Sequence, residues 1–261
     1  IALKKKGYRI RAITKSQSSV DFALEKSIID QGSTQVEEAW IKEADLIIFA
    51  LYPEALLQWI DDYGDLLEPG TLVTDVNGVK VAIVAHIQDR LPRGVEFIAS
   101  HPMAGREVYG VQNATDEIFH VANFIVTPTP RNSKEAVDAC KELGSELGFR
   151  HISVLSPEAH DDMIGFLSQL THCIAVSLMN SNDSDHLVDY TGDSFRDLTR
   201  IAKINEDMWT ELFLLNKTQL LNHMEAFEAS FDELKTALRE EDAERMKELM
   251  RKSTRRRKLF D

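Results

Sequence analysis

Asp45-Leu46-Ile47-Ile48-Phe49-Ala50-Leu51, closed by Pro53, is an unbroken apolar run of strand length, and its reading decides the fold. A strand that is apolar at consecutive rather than alternate positions must be covered on both faces, as strands of parallel sheets are. Outward from it, a helical stretch through Trp59 and Ile60 leads to the next strand, Gly70-Thr71-Leu72-Val73-Thr74-Asp75-Val76. A helix is predicted over residues 80–91, strands over 95–99, 123–127 and 151–155, and a helix over 133–147. Upstream, residues 8–13 read as a strand. Repeated strand–helix alternation predicts a doubly wound, Rossmann-type parallel sheet, which binds its ligands at the carboxyl ends of the strands.

The chain opens with Ile1-Ala2-Leu3-Lys4-Lys5-Lys6-Gly7, the pattern of a helix end: apolar residues, cations, then a C-cap glycine. The expectation is that a first strand and a glycine-rich phosphate-binding loop lie upstream of residue 1. At the other boundary, Ser156-Pro157-Glu158 is a helix start, with serine as N-cap and proline at the first helical position. No strand signal follows it. Leu220, Met224, Phe227, Phe231, Leu234 and Leu238 form one apolar stripe, read first as core packing and second as a dimer interface. A nucleotide-binding domain over residues 1–155 and an all-α domain over 156–261 are therefore predicted.

Composition narrows the partners. With 30 basic and 43 acidic residues, the net charge of -13 disfavours nucleic acid and anionic membrane. The cations from Arg251 to Lys258 read as a solvated helix end, favoured there by the helix dipole. Cys140 and Cys173 read as reduced thiols. No apolar run approaches the roughly 20 residues of a membrane span, so a soluble, cytoplasmic protein is expected.

Three segments carry candidate chemistry. Ser100-His101-Pro102-Met103-Ala104-Gly105-Arg106-Glu107 follows a strand directly, where a histidine fixed by proline suits acid–base work, although a single loop histidine is more often structural. His160-Asp161 with Ser168-Gln169-Leu170-Thr171-His172 could be a cap and polar contacts; a metal site is disfavoured by the long spacing. Gly192-Asp193-Ser194-Phe195-Arg196-Asp197-Leu198-Thr199-Arg200-Ile201-Ala202, with Trp209 beyond it, is either a surface ion-pair ladder or a guanidinium oriented to grip a carboxylate.

Together and in this order, these segments and Thr74-Asp75-Val76-Asn77-Gly78-Val79-Lys80 resemble the prephenate and arogenate dehydrogenases over essentially the whole chain. The resemblance implies oxidative decarboxylation of prephenate in tyrosine biosynthesis, with hydride passed to NAD. By it, His101 is the catalytic hydrogen-bond acceptor. Arg200 binds a substrate carboxylate, His172 the other end of the substrate, and Glu107 polarises or gates the site. Trp209 covers it and Asp197 orients its neighbours. Members often carry serine in a Gly-Ser-Val-Lys turn; here that contact is lost or passes to Asn77. The cofactor would meet Thr14, Lys15, Ala50, Leu51, Pro53, Asp75 and Val76. No acid ends the strand before Thr14-Lys15-Ser16, so NADP is not excluded. No metal is expected, and a homodimer through the helical domain is. Two other readings are a 3-hydroxyacid-type dehydrogenase, which would depend on a lysine in the helical domain, and a non-catalytic helical dimer protein.

Overall fold

In the computed structural model, which describes residues 1–106 and 108–260, the last strand ends at Val154 and the described elements after Ser156 are all helices joined by loops. The first part contains β1 (Arg11–Ile13), β2 (Gln31–Ser33), β3 (Leu46–Phe49), β4 (Leu72–Asp75), β5 (Glu96–Phe97), β6 (Ala99–Pro102), β7 (Asn123–Thr127) and β8 (His151–Val154). Between them run α1 (Ala2–Lys5), α2 (Gln17–Glu25), α3 (Glu38–Lys42), α4 (Pro53–Tyr63), α5 (Val81–Arg90) and α6 (Lys134–Glu146). The second part comprises α7 (Pro157–Ile164), α8 (Thr171–Met179), α9 (Leu187–Tyr190), α10 (Asp193–Thr199), α11 (Glu206–Leu215), α12 (Lys217–Arg239) and α13 (Ala243–Arg257).

β1 pairs with β2, β3 with β4 and β4 with β5, all parallel. These strands pack against helices, with Val73, Phe97, Leu56, Ile60, Ile83 and Ile87 in one core, but β3 is not covered on both faces as expected, since its Ile48 is exposed. Two features were not expected. The polar strand β2 carries no apolar signal. The strand expected over 95–99 breaks at Ile98, and its continuation β6 runs antiparallel to β7 before β7 pairs parallel with β8. The break lets the chain cross from one sheet to the next, with Ile98 N–H still donating to Val73 O at 2.9 Å. It also carries His101 to its position on β6.

Helix ends follow their sequence signals. Gly7 closes α1 at φ +91°, where a side chain would be strained. The Ser156 hydroxyl accepts from Ala159 N–H above Pro157. Residues 165–170 form a π-helical turn between α7 and α8, a bulge of the kind that recurs at functional sites.

Two expectations need correction. The α12 stripe is core only at its start: Leu220 is buried, while Phe227, Phe231, Leu234 and Leu238 are exposed. The packing reading fails there because these side chains are left exposed among the described residues, and the interface reading remains. The run Pro157–Met179 is also long and apolar enough, by length and composition, to cross a membrane. Its His160, Asp161 and Gln169 are, however, buried against other parts of the chain.

Candidate active site

The site starts from two buried charges. Lys80 and Asp75 are both fully buried, with Nζ 2.7 Å from Oδ2. Lys80 Nζ also donates to Ser100 O at 2.6 Å. Asp75 Oδ2 accepts Asn77 N–H and Oδ1 accepts Ser100 N–H, while the Ser100 hydroxyl donates to Asp75 O at 2.8 Å. These bonds tie the end of β4 to the start of β6 and satisfy an ion pair that burial alone would penalise. Burial pulls the Lys80 ammonium down, and Asp75 opposes that.

His101 follows Ser100 and is partly buried at the mouth of this cluster. Its Nδ1 lies 2.9 Å from His160 Nε2, and His160 Nδ1 lies 2.7 Å from Asp161 Oδ1. The Asp161 carboxylate accepts the Lys80 and Val81 N–H groups at 2.8 Å each, donors that the α5 N-terminus leaves without a partner inside the helix. One carboxylate therefore joins the helical part to the strand part and anchors the histidine pair. Burial, then His160 and Lys80, hold His101 well below the ordinary histidine range. Burial likewise lowers His160, with Asp161 acting in the opposite direction. His101 is thus neutral at neutral pH, as a proton acceptor must be.

Residues of the helical part pack beside His101. His172 Nδ1 donates to Ser168 O at 2.9 Å across the π-turn, which turns the ring against Trp209 with centroids 3.7 Å apart. One turn along α11, Leu212 packs over Gly78, where an added Cβ would stand 3.7 Å from Leu212 and 3.8 Å from His101 Cε1. Gly78 therefore lies between His101 and Leu212, and Leu212 is one helical turn from the Trp209–His172 stack. Gln169 and Asn216 brace it: Gln169 Nε2 donates to Leu212 O, while Asn216 Nδ2 donates to Gln169 Oε1 and Asp161 O. Arg200 begins a 3-10 turn after α10, packed on α8 and exposed.

The other expected residues fall as follows. Asn77 is buried, and its side-chain nitrogen has no partner among the described residues. Such a donor costs free energy unless a ligand takes it. Asp197 is exposed on α10, and Arg196 pairs with Asp193 rather than with the Arg200 face. Thr14 and Lys15 are exposed beyond β1. Ala50 is exposed and Leu51 half-buried after β3, Pro53 is buried at the start of α4, and Val76 is half-buried after β4. The Asp75 side chain, with both oxygens bonded inside, organises the strand end rather than facing the cleft. Glu107 lies outside the described residues. Lys80, Ser100 and Gln169 lie within the segments quoted from the sequence, which gave them no role of their own. A lysine opening a helix normally reads as solvated, and its partner five residues earlier was the sole sequence hint.

The comparisons agree on one family. The model described as prephenate dehydrogenase, nucleotide-binding domain, matches residues 1–153. The model described as prephenate dehydrogenase, dimerization domain, matches residues 156–252. The chain is 31% identical over 254 residues to a Bacillus subtilis prephenate dehydrogenase, covering 94% of this chain and 68% of that protein. It is 28% identical over 245 residues to a Zymomonas mobilis cyclohexadienyl dehydrogenase, covering 92% and 83%. Its fold is similar to that of Aquifex aeolicus prephenate dehydrogenase in complex with hydroxyphenyl propionate and NAD+, with TM-score 0.89, 28% identity, and 100% and 92% of the two chains covered.

Proposed function

The chain belongs to the prephenate dehydrogenase family, and from that premise we propose that it converts prephenate to 4-hydroxyphenylpyruvate by oxidative decarboxylation, with NAD as hydride acceptor. The reading rests on His101 near the end of β6, its Nδ1 against His160 and its Cε1 beside Gly78 and Leu212, with the His172–Trp209 stack one turn along α11. The chemistry asks for one proton acceptor. The ring carbon that bears the hydroxyl loses its hydrogen as hydride, the hydroxyl becomes a carbonyl, and its proton passes to His101. The ring carboxylate then leaves as carbon dioxide, and its bonding pair aromatises the ring. The resulting phenolate takes a proton back from His101, so the histidine borrows one proton and returns it. Aromatisation drives the reaction, and the protein's task is placement and polarisation.

The Arg200 guanidinium holds a substrate carboxylate and His172 meets the far end of the substrate, with Trp209 excluding water. Asp197 and Glu107 are assigned orienting and gating roles by resemblance alone. NAD fits at the ends of β1, β3 and β4. The Asn77 side-chain nitrogen, buried without a partner among the described residues, offers a donor to a ligand there. When bound, the nicotinamide supplies the hydride acceptor. Ala50, Leu51, Pro53 and Val76 would lie along the cofactor, and Thr14 and Lys15 at its ribose. Lys15 in place of an acid supports tolerance of NADP's extra phosphate.

The exposed α12 stripe and the family's dimerization domain support a homodimer through the helical part. A cytoplasmic place in tyrosine biosynthesis follows from the activity. Initial rates of NAD and NADP reduction, with prephenate and arogenate as parallel substrates, test the reading. The expected result is turnover of prephenate with NAD. Absence of turnover with either substrate overturns it.

A further inference from the structure

The hydrogen bonds behind His101 run in one direction, set from their far end. Both Asp161 oxygens accept backbone N–H groups, from Lys80 and from Val81. The carboxylate is therefore used as an acceptor, and the His160 Nδ1 facing Oδ1 at 2.7 Å must donate. A neutral imidazole with its proton on Nδ1 has its lone pair on Nε2. That lone pair lies 2.9 Å from His101 Nδ1, so His101 donates there. The lone pair of His101 is then left on Nε2, the nitrogen turned away from His160.

We propose that His160 and Asp161 are positioning residues that hold His101 in its Nδ1–H tautomer, so that Nε2 presents a lone pair to the substrate hydroxyl. The proposal rests on the assignment of His101 as proton acceptor made above. Neither residue touches the reacting atoms. In the other tautomer, Nε2 would carry hydrogen and could not accept the hydroxyl proton, however well the substrate bound. While His101 holds the borrowed proton, its Nδ1–H stays donated to His160, so no proton need leave the site before it returns to the product oxygen.

The arrangement is fixed from three elements. Asp161 and His160 come from α7, whose first turn Ser156 caps. The Lys80 and Val81 donors come from the start of α5. Asn216, at the N-cap position of α12, donates to the Asp161 backbone carbonyl. The charged groups facing the two rings are Asp161 from α7, Lys80 before α5 and Asp75 at the end of β4. Lys80 and Asp75 largely cancel as a pair, which leaves Asp161 as the carboxylate in contact with the histidine pair.

The test uses the full chain with histidine-selective nitrogen-15 labelling, and kinetics of H160Q and H160F. Nitrogen spectra, with the His101 signals assigned by their loss in H101N, should show Nδ1 protonated and Nε2 bare near neutral pH. H160Q keeps an acceptor oxygen near the position of His160 Nε2 and should retain most of kcat. H160F removes the acceptor at similar size. It should lower kcat by about 100-fold with KM for prephenate unchanged, and displace the acid limb of the kcat profile, since His160 is among the groups that set the proton affinity of His101. His101 protonated on Nε2 in the wild-type protein would overturn the proposal. So would folded H160F with wild-type kcat and pH profile, or H160Q falling as far as H160F, which would mark a packing role. The spectra need no substrate, so they judge the tautomer even if prephenate proves not to be the substrate.

Discussion

Replacing Lys80 with methionine removes a cation that is wholly enclosed and keeps most of its stem volume. Lys80 Nζ makes two short bonds, to Asp75 Oδ2 at 2.7 Å and to Ser100 O at 2.6 Å. Without it, Asp75 remains fully buried with the Asn77 and Ser100 N–H groups as its donors. Breaking a buried pair from one side costs about 3–5 kcal/mol. The two surviving donors place this case at the lower end, about 3 kcal/mol. At a urea slope of roughly 2 kcal/mol per molar, the midpoint should fall by about 1.5 M. The assay is urea unfolding followed by circular dichroism, with D75N and D75N/K80M completing a double-mutant cycle. A coupling energy above about 1 kcal/mol is expected, since adjacent partners are not additive. A K80M cost below about 1 kcal/mol with no coupling would refute the claim that this pair holds β4 to β6.

Stability should also fall with acid in a defined window. His160 titrates below its ordinary value in the folded chain, so the unfolded chain binds that proton first. Its contribution is complete above about pH 6.5 and is lost as pH falls below it, by up to about 1.4 kcal/mol per pH unit. Urea midpoints of wild type and H160Q at pH 7 and 5.5 should show the smaller decline in H160Q; parallel declines would contradict this. R200K should lower kcat/KM for prephenate about 10- to 100-fold through loss of a two-pronged carboxylate grip, with little change in unfolding midpoint; wild-type kinetics would remove Arg200 from the site. Glutamate at Phe231 and Leu238, both exposed on α12, should give a monomeric mass by light scattering where wild type is dimeric; a dimer in the double variant would place the interface elsewhere.

Much of this architecture was legible because parallel strands announce themselves. Residues 46–51 are apolar at consecutive positions, and Ser156-Pro157 marks a helix start by local chemistry alone. What failed to show depended on distant partners. β2, with Gln31, Gly32 and Ser33, forms because β1 offers a ladder, not because its side chains ask for one. The change of direction at Ile98 serves the sheet, not the local sequence. Lys80 reads as a solvated helix start until Asp75 and Ser100 enclose it. His160 and Asp161 stood out as a pair, yet their use lay with His101, 59 residues away. The α12 periodicity showed which residues share a face and could not say what covers it.

The central claim is that His101 accepts the hydroxyl proton of prephenate. Its most direct test is the pH dependence of kcat/KM for NAD reduction by wild type and by H101N. The account predicts an acid limb in the wild type, below the ordinary histidine range, as His101 becomes protonated. It predicts that H101N loses that limb and at least about 100-fold in kcat while still binding prephenate. H101N turning over at the wild-type rate, or keeping the same acid limb, would contradict it.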